Sequence, residues 1–316
     1  MCTAISYCDG AHYFGRNLDV EGSYREGVVI TPRKFPLAYR YATEQKEHYA
    51  MIGMATVVDG YPLYFDATNE MGLSVAGLNF PGKAQYGVYT ERKVNIAPFE
   101  LTPYILSQCA STVEAEALLL GANLVHLAFR QDIPVTPLHW MISDADRSVV
   151  LECTEDGIHV YENPFGVLTN SPPFPFHKEN LHRYMGLHEG LEENTLSEEL
   201  PLENISLGFG AMGLPGDFSS ISRFVKAVFV KEKSLHSDTE QGATAQFFRI
   251  LQAVAMPKGC VLMKNGAYEY TRYSSCCHTR KQDYYYQTYD DFTLHRVSLR
   301  EHDLQSRTLK IYQLGS

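Results

Sequence analysis

No stretch of this chain approaches the ~20 consecutive apolar residues of a membrane span, so a membrane protein is not expected. Nor does it carry a Lys/Arg cluster that could track a line of phosphates, which argues against nucleic acid as a partner. The N-terminus, Met1-Cys2-Thr3-Ala4-Ile5-Ser6, lacks both a basic leader and a long apolar run. A secretory signal is therefore not expected, and the cytoplasm is the expected location. Internal repeats, low-complexity linkers and a convincing boundary are all missing, and a single domain over residues 1–316 is the expectation. Although 12 histidines are present, none sits in His-Glu-x-x-His, and Cys276-Cys277-His278 lacks paired ligands at zinc spacing. Neither a metal nor another cofactor is expected.

What is present suits a soluble globular protein. Of 316 residues, 45% are hydrophobic and 20% charged. A chain of this size buries roughly 75% of its unfolded surface, so a large core is available. The net charge of -10 favours solubility and self-repulsion. The seven cysteines are odd in number and irregular in spacing, and in a reducing compartment they should be mostly free thiols.

The pattern of elements is α+β. Strands are expected over residues 3–8, 12–16, 28–31, 49–57, 61–65 and 73–76, with Asp9-Gly10, Asp59-Gly60 and Met71-Gly72 at turns. Helical periodicity follows over 100–110 and 112–120, where Ser111 and Glu114 stand at capping-box spacing. More strands are expected over 138–143, 149–154, 158–162 and 167–169, and then helices near 178–186, 219–231 and 239–255. Residues 187–207 read as acidic loop, and 284–288 and 293–297 as C-terminal strands.

Cys2 is the first candidate for chemistry. Initiator methionine is removed when the next residue is small, and removal of Met1 would leave one residue with both a thiol and a free α-amine. The amine, with an ordinary pKa of about 7.7–8.0, can act as a base near neutral pH. The thiolate is a strong nucleophile. Just after the second strand stand Arg16 and Asp19. If the first two strands pair, both lie near Cys2, where a cation would favour the thiolate and a carboxylate could hold the amine. An isolated Arg-x-x-Asp is more often a surface ion pair.

A rival motif is Gly208-Phe209-Gly210-Ala211-Met212-Gly213, which matches the dinucleotide fingerprint and has Glu232 about twenty residues on. A nucleotide-binding oxidoreductase is disfavoured, because no clear buried strand precedes it and Pro215-Gly216 would break the helix that must follow.

Met-Cys-Thr at the start and Phe14-Gly15-Arg16-Asn17-Leu18-Asp19 resemble the choloylglycine hydrolase family, which contains bile salt hydrolases and penicillin V acylases. Further segments agree in order, namely Ala76-Gly77-Leu78-Asn79-Phe80-Pro81, Leu138-His139-Trp140-Met141-Ile142-Ser143-Asp144, Val167-Leu168-Thr169-Asn170-Ser171-Pro172, Gly213-Leu214-Pro215-Gly216-Asp217-Phe218 and Ser222-Arg223-Phe224. The resemblance implies an N-terminal-nucleophile amidohydrolase with a four-layer αββα sandwich, two antiparallel sheets between helical layers. It implies that Cys2 attacks an amide carbonyl, that its α-amine moves the proton, and that Asp19 orients that amine. Arg16 and Arg223 would supply positive charge, and the Asn79 backbone N–H with the Asn170 side chain would form an oxyanion hole. Asn79 favours bile salts over penicillin V, since penicillin V acylases tend to carry Tyr there.

For a rigid apolar steroid an apolar groove is expected. By resemblance, Leu18, Tyr64, Phe65 and Ile133 would line it. Gly208-Phe209-Gly210 would lie at the loop that selects glycine or taurine and looks like that of glycine-preferring members, with Phe209 in contact. Relatives are commonly homotetramers, so a homo-oligomer acting on conjugated bile salts is the implied partner set.

Overall fold

The computed structural model describes residues 1–314. Residues 315 and 316, which the single-domain expectation includes, lie outside the described residues. In chain order the strands and helices are β1 (Cys2–Cys8), β2 (His12–Val20), β3 (Gly27–Thr31), β4 (Met51–Val58), β5 (Tyr61–Asn69), β6 (Ser74–Asn79), β7 (Val94–Ile96), α1 (Leu101–Gln108), α2 (Thr112–Leu120), β8 (Ala122–Leu124) and β9 (Leu138–Ser143). They continue with β10 (Ser148–Thr154), β11 (Gly157–Glu162), β12 (Val167–Leu168), α3 (Phe174–Leu181), α4 (Ser220–Lys233), α5 (Glu240–Gln252), β13 (Val261–Leu262), β14 (Tyr268–His278), β15 (Asp283–Thr288), β16 (His295–Ser298) and β17 (Lys310–Gln313).

Two antiparallel sheets dominate. The smaller has seven strands, ordered β12-β1-β2-β14-β15-β16 with β13 paired to β14, and the larger has eight, ordered β11-β10-β9-β6-β5-β4-β3-β17. Side chains on a strand alternate between faces. In β3 and β9 that alternation divides two cores. Val28, Ile30 and Met141 belong to one cluster, which also takes in Phe224, Phe247 and Phe248 from α4 and α5. Val29, Trp140 and Ile142 belong to another, with Leu101, Ile105 and Leu119 from α1 and α2. Helices α1 and α2 thus cover the outside of the larger sheet, and α4 and α5 the outside of the smaller. This is the four-layer αββα sandwich that the resemblance implied. Each fully buried Phe or Leu in these layers contributes roughly 1.5–3 kcal/mol.

Hairpin β1–β2 turns at Asp9-Gly10, where Gly10 has φ +65°, and pairs Cys2 with Leu18. A Cβ on Gly15 would stand 1.9 Å from the Ser275 carbonyl oxygen, so only glycine lets β14 pack beside Arg16. Ser111 caps α2, its Oγ accepting from the Glu114 N–H at 3.3 Å. The Glu114 carboxylate reaches the N–H of Ala110 at 2.7 Å, one residue before the position a capping box uses.

Two expectations need correction. The helix placed at 178–186 is α3, which starts earlier. Pro175 in its first turn has no N–H that would need an acceptor, and the Phe174 N–H donates to Glu152 Oε1 at 2.9 Å. The eleven-residue strand β14 was missed, because it is buried over most of its length and shows no clean alternation.

Candidate active site

Register places the N-terminus. With Cys2 opposite Leu18, Asp19 comes level with Met1, and its N–H donates to the Met1 carbonyl at 2.9 Å. The α-ammonium of Met1 donates to the Asp19 carbonyl at 2.6 Å and to Glu269 Oε1 at 2.7 Å. Cys2 is 4% exposed and its nitrogen donates to Asn170 Oδ1 at 2.8 Å. The loop after β12 carries Asn170 to this point, its own N–H held by Ser220 Oγ at 2.8 Å.

Arg223, one turn into α4, is 1% exposed and reaches in from the helical layer. Its Nη1 donates to the Cys2 carbonyl at 2.5 Å and to Thr3 Oγ1 at 2.7 Å, and its Nη2 to Asn170 Oδ1 at 2.7 Å. Asp19 Oδ2 lies 3.9 Å from Arg223 Nη1. Its other oxygen, Oδ1, accepts from Thr271 Oγ1 at 2.7 Å. The Asn170 carboxamide is thereby fixed at both ends, since its Nδ2 donates to the Asn79 carbonyl at 2.7 Å. One Nδ2 hydrogen remains for another acceptor.

Arg16 sits between the sheets. Its Nη1 donates to the carbonyls of Phe65 and Gly77 at 2.9 and 2.6 Å. Burial alone would depress this guanidinium, but the negative groups of Cys2, Tyr273, Asp66 and Asp19 carry it above its ordinary value. Burial pushes Arg223 below its ordinary value, against the attraction of Asp19 and Cys2. Arg16 Nη2 and Asp19 Oδ2 are buried without a hydrogen-bond partner among the described residues. Such groups are rare in folded proteins, and here the two carry opposite charge.

All six residues expected to carry chemistry, Cys2, Arg16, Asp19, Asn79, Asn170 and Arg223, therefore meet in one cluster, buried except for the half-buried Asn79. Of the groove residues, Leu18 pairs with Cys2, and Phe65 is next to the cluster through its carbonyl. Tyr64 is turned the other way. It lies in the outer core of the larger sheet, its hydroxyl bonded to Thr31 Oγ1 at 2.7 Å. Ile133 and Phe209 are half-buried on separate loops and share no hydrogen bond or strand pairing with the cluster among the described residues. Thr271 and Glu269, which hold Asp19 and the N-terminus, were missed. Both stand on β14, and nothing in their local sequence marks them.

The Gly208–Gly213 motif forms a short 3-10 turn at Phe209–Ala211, with α4 beginning only at Ser220. All seven cysteines are free. Two open surface clefts, of about 760 and 440 Å³, are lined by Arg33, His48 and Glu70 and by Cys8, Asp144 and Lys231, and neither reaches Cys2. No helix among the described residues is long and apolar enough to cross a membrane.

A buried thiol at a strand start, with aimed amides and guanidinium groups between two sheets, defines a site suited to acyl transfer from an amide. Residues 2–312 match the profile of the linear amide C–N hydrolases, choloylglycine hydrolase family. The chain belongs to that family. It is 48% identical over 316 residues to a bile salt hydrolase/transferase of Lactiplantibacillus plantarum, covering 100% of this chain and 98% of the relative. It is 39% identical to a conjugated bile acid hydrolase of Lactobacillus acidophilus, covering 99% and 100%. An alanine variant of the Clostridium perfringens conjugated bile acid hydrolase superposes with a TM-score of 0.93 at 34% identity, covering 100% of this chain and 97% of that one. Penicillin V acylase from Agrobacterium tumefaciens shares the fold, with a TM-score of 0.80 at 19% identity over 100% and 92% of the two chains.

Proposed function

We propose that this chain, once Met1 is removed, hydrolyses the amide bond of glycine- or taurine-conjugated bile salts with Cys2 as nucleophile. The observation that carries the mechanism is the Cys2 nitrogen, 2.8 Å from Asn170 Oδ1 in a cluster that also holds an unpartnered Asp19 Oδ2. Freed as an amine, that nitrogen would meet the Asn170 oxygen as an acceptor already in position. The substrate assignment rests on the names and full-length coverage of the relatives.

In the proposed reaction the α-amine takes the thiol proton and sulfur bonds to the amide carbon. The carbonyl electron pair moves to oxygen. The remaining Asn170 Nδ2 hydrogen and the Asn79 backbone N–H donate to that oxyanion. Donors fixed in advance act on charge present only in the transition state, and each is worth about 2.7–4 kcal/mol. Collapse breaks the C–N bond, the departing amine takes the proton from the α-ammonium, and a thioester remains on Cys2. Water then adds by the same route and frees the steroid acid. Arg16 and Arg223 hold positive charge against the thiolate and oxyanion, and Asp19 orients the amine. Leu18, Phe65 and Ile133 are proposed to meet the steroid and Phe209 the amino acid, while Tyr64 is left to the core.

Residues 1–316 are proposed to form one amidohydrolase domain, acting in the cytoplasm as a homotetramer. Support for assembly comes from Leu196, Ile205 and Leu207, which are 77, 87 and 89% exposed on one loop. Sedimentation of the purified chain tests the assembly.

Wild type and Cys2→Ala are to be assayed on glycocholate, taurocholate and penicillin V. Release of glycine or taurine by wild type alone is expected. Preference for penicillin V would retain the mechanism and move the substrate to the acylase branch. Intact mass should show active enzyme beginning at Cys2, and retained Met1 on active enzyme would sink the α-amine mechanism.

A further inference from the structure

Behind the two asparagines lies a buried ionisable pair that this mechanism does not use. His139 on β9 pairs with Leu78 of β6, the residue before Asn79. Its ring stacks on Phe80, the residue after Asn79, with centroids 4.3 Å apart and planes 5° from parallel. Nε2 of the same ring meets the Thr169 carbonyl at 2.9 Å, one residue before Asn170. One imidazole therefore touches the neighbours of both asparagines.

Nδ1 of His139 meets Glu152 Oε1 at 3.0 Å, and both side chains are 0% exposed. That oxygen also accepts the Phe174 N–H at 2.9 Å. Glu152 thus holds the segment bearing Asn170 at two places, through His139 at Thr169 and directly at the start of α3. From α3, His177 Nε2 closes on the Asn170 carbonyl at 2.9 Å.

Burying a carboxylate and an imidazole is costly, and a well-packed apolar pair is often as stabilising or more so. An apolar pair could fill the same space, but it could not aim a backbone carbonyl. Directed bonds impose a single geometry, which an oxyanion site needs and a plain sheet contact does not, and here they run through Glu152 Oε1, since Glu152 Oε2 is buried without a partner among the described residues.

We propose that His139, anchored by Glu152, is a positioning residue that holds Asn170 and Asn79 at the spacing an oxyanion requires. This rests on the oxyanion role given to Asn170 above. His139→Phe keeps the stack on Phe80 and removes both hydrogen bonds. It should lower kcat for glycocholate at least about tenfold and change KM by no more than about twofold, because an oxyanion donor acts on the transition state. Alkylation of Cys2 by iodoacetamide forms no oxyanion. Followed at the Cys2 peptide by mass spectrometry, since Cys8 and Cys260 are exposed thiols that would react too, its rate should change little.

In an Asn170→Ala background the same substitution should cost less than about twofold more, because residues acting through one group are not additive. Unchanged kcat, a full repeat of the loss in the Asn170→Ala background, or alkylation falling in step with kcat would each overturn the proposal. Should His139→Phe not fold, Glu152→Gln, which keeps the shape and removes the charge, is read in the same cycle. Wild type is run alongside. If it cleaves penicillin V and not glycocholate, the substrate reading alone fails and the cycle is read on penicillin V. If it cleaves neither, both proposals fall.

Discussion

On its outer face, against α1 and α2, the larger sheet presents Val29, Met51, Val75, Trp140, Ile142 and Leu151, all 1% exposed or less. On its inner face the same sheet sets polar groups among apolar residues such as Val28, Ile30 and Met141, and turns them toward the smaller sheet. Asp66 accepts from Tyr273 and Tyr284 hydroxyls at 2.8 and 2.6 Å, and Ser143 Oγ donates to Ser6 Oγ at 2.9 Å. Burial raises the Asp66 pKa, against the pull of Arg16 and the three hydroxyls of Tyr284, Tyr273 and Ser275. The outer layer asks only for apolar volume. The inner layer asks for directed bonds between two sheets, and the site sits at its edge. The difference separates residues that hold the fold from residues that hold a geometry.

Substitutions on each side should part activity from stability. Cys2→Ala removes the nucleophile and little volume, so turnover should fall at least about 10³-fold while the melting temperature holds. A large drop in melting temperature would put Cys2 in the fold-holding class. Leu151→Ala, on the outer face, should cost about 2–5 kcal/mol of stability by cavity formation and leave kcat per folded molecule unchanged. Loss of kcat without loss of stability there would erase the comparison.

Acid should act first on the buried histidines. Burial holds His12 at about 4, with Asp144 opposing and His278 assisting, and holds His177 at about 4, with the Asn170 carbonyl opposing. Both are neutral in the fold at pH 7, and the unfolded chain protonates them near pH 6.5. The unfolded state then binds more protons, so stability falls as pH drops from about 6.5 toward 4, by a few kcal/mol at most. Urea denaturation from pH 7 to 4.5 reads this, and His12→Gln should flatten the slope. An unchanged slope would remove His12 from the account. The smallest effect is expected at the far edge of the outer layer, where Ser111→Ala should cost about 1 kcal/mol by uncapping α2. Thermal unfolding at pH 7 measures it, and a value near zero would assign the cap no role.

Much of the site could be read before the fold was known. Asp9-Gly10 between two β runs placed Arg16 and Asp19 near Cys2, and the motifs around Asn79, Asn170 and Arg223 marked the other strand and helix ends. Tyr64 shows where such reading stops. Opposite it the register shifts, with Met54 facing Asp66 but Ala55 facing Tyr64, so the strand carries an extra residue at Phe65. The bulge breaks the alternation and sends Tyr64 to the outer core. Strand β14 was hidden for another reason, since a strand covered on both faces loses the period that would reveal it.

By itself the sequence determined the alternation that builds two sheets, the turns that pair them, and the residue types that meet at Cys2. Those properties are local, set by backbone sterics and by which side chains leave water. Only the tertiary structure decided which face each residue served, which carbonyls Arg223 and His139 reach, and which buried groups were left without partners. Those outcomes depend on elements far apart in the chain, as Asn170 and Cys2 are, and a hydrogen bond requires both ends to arrive within about 3 Å.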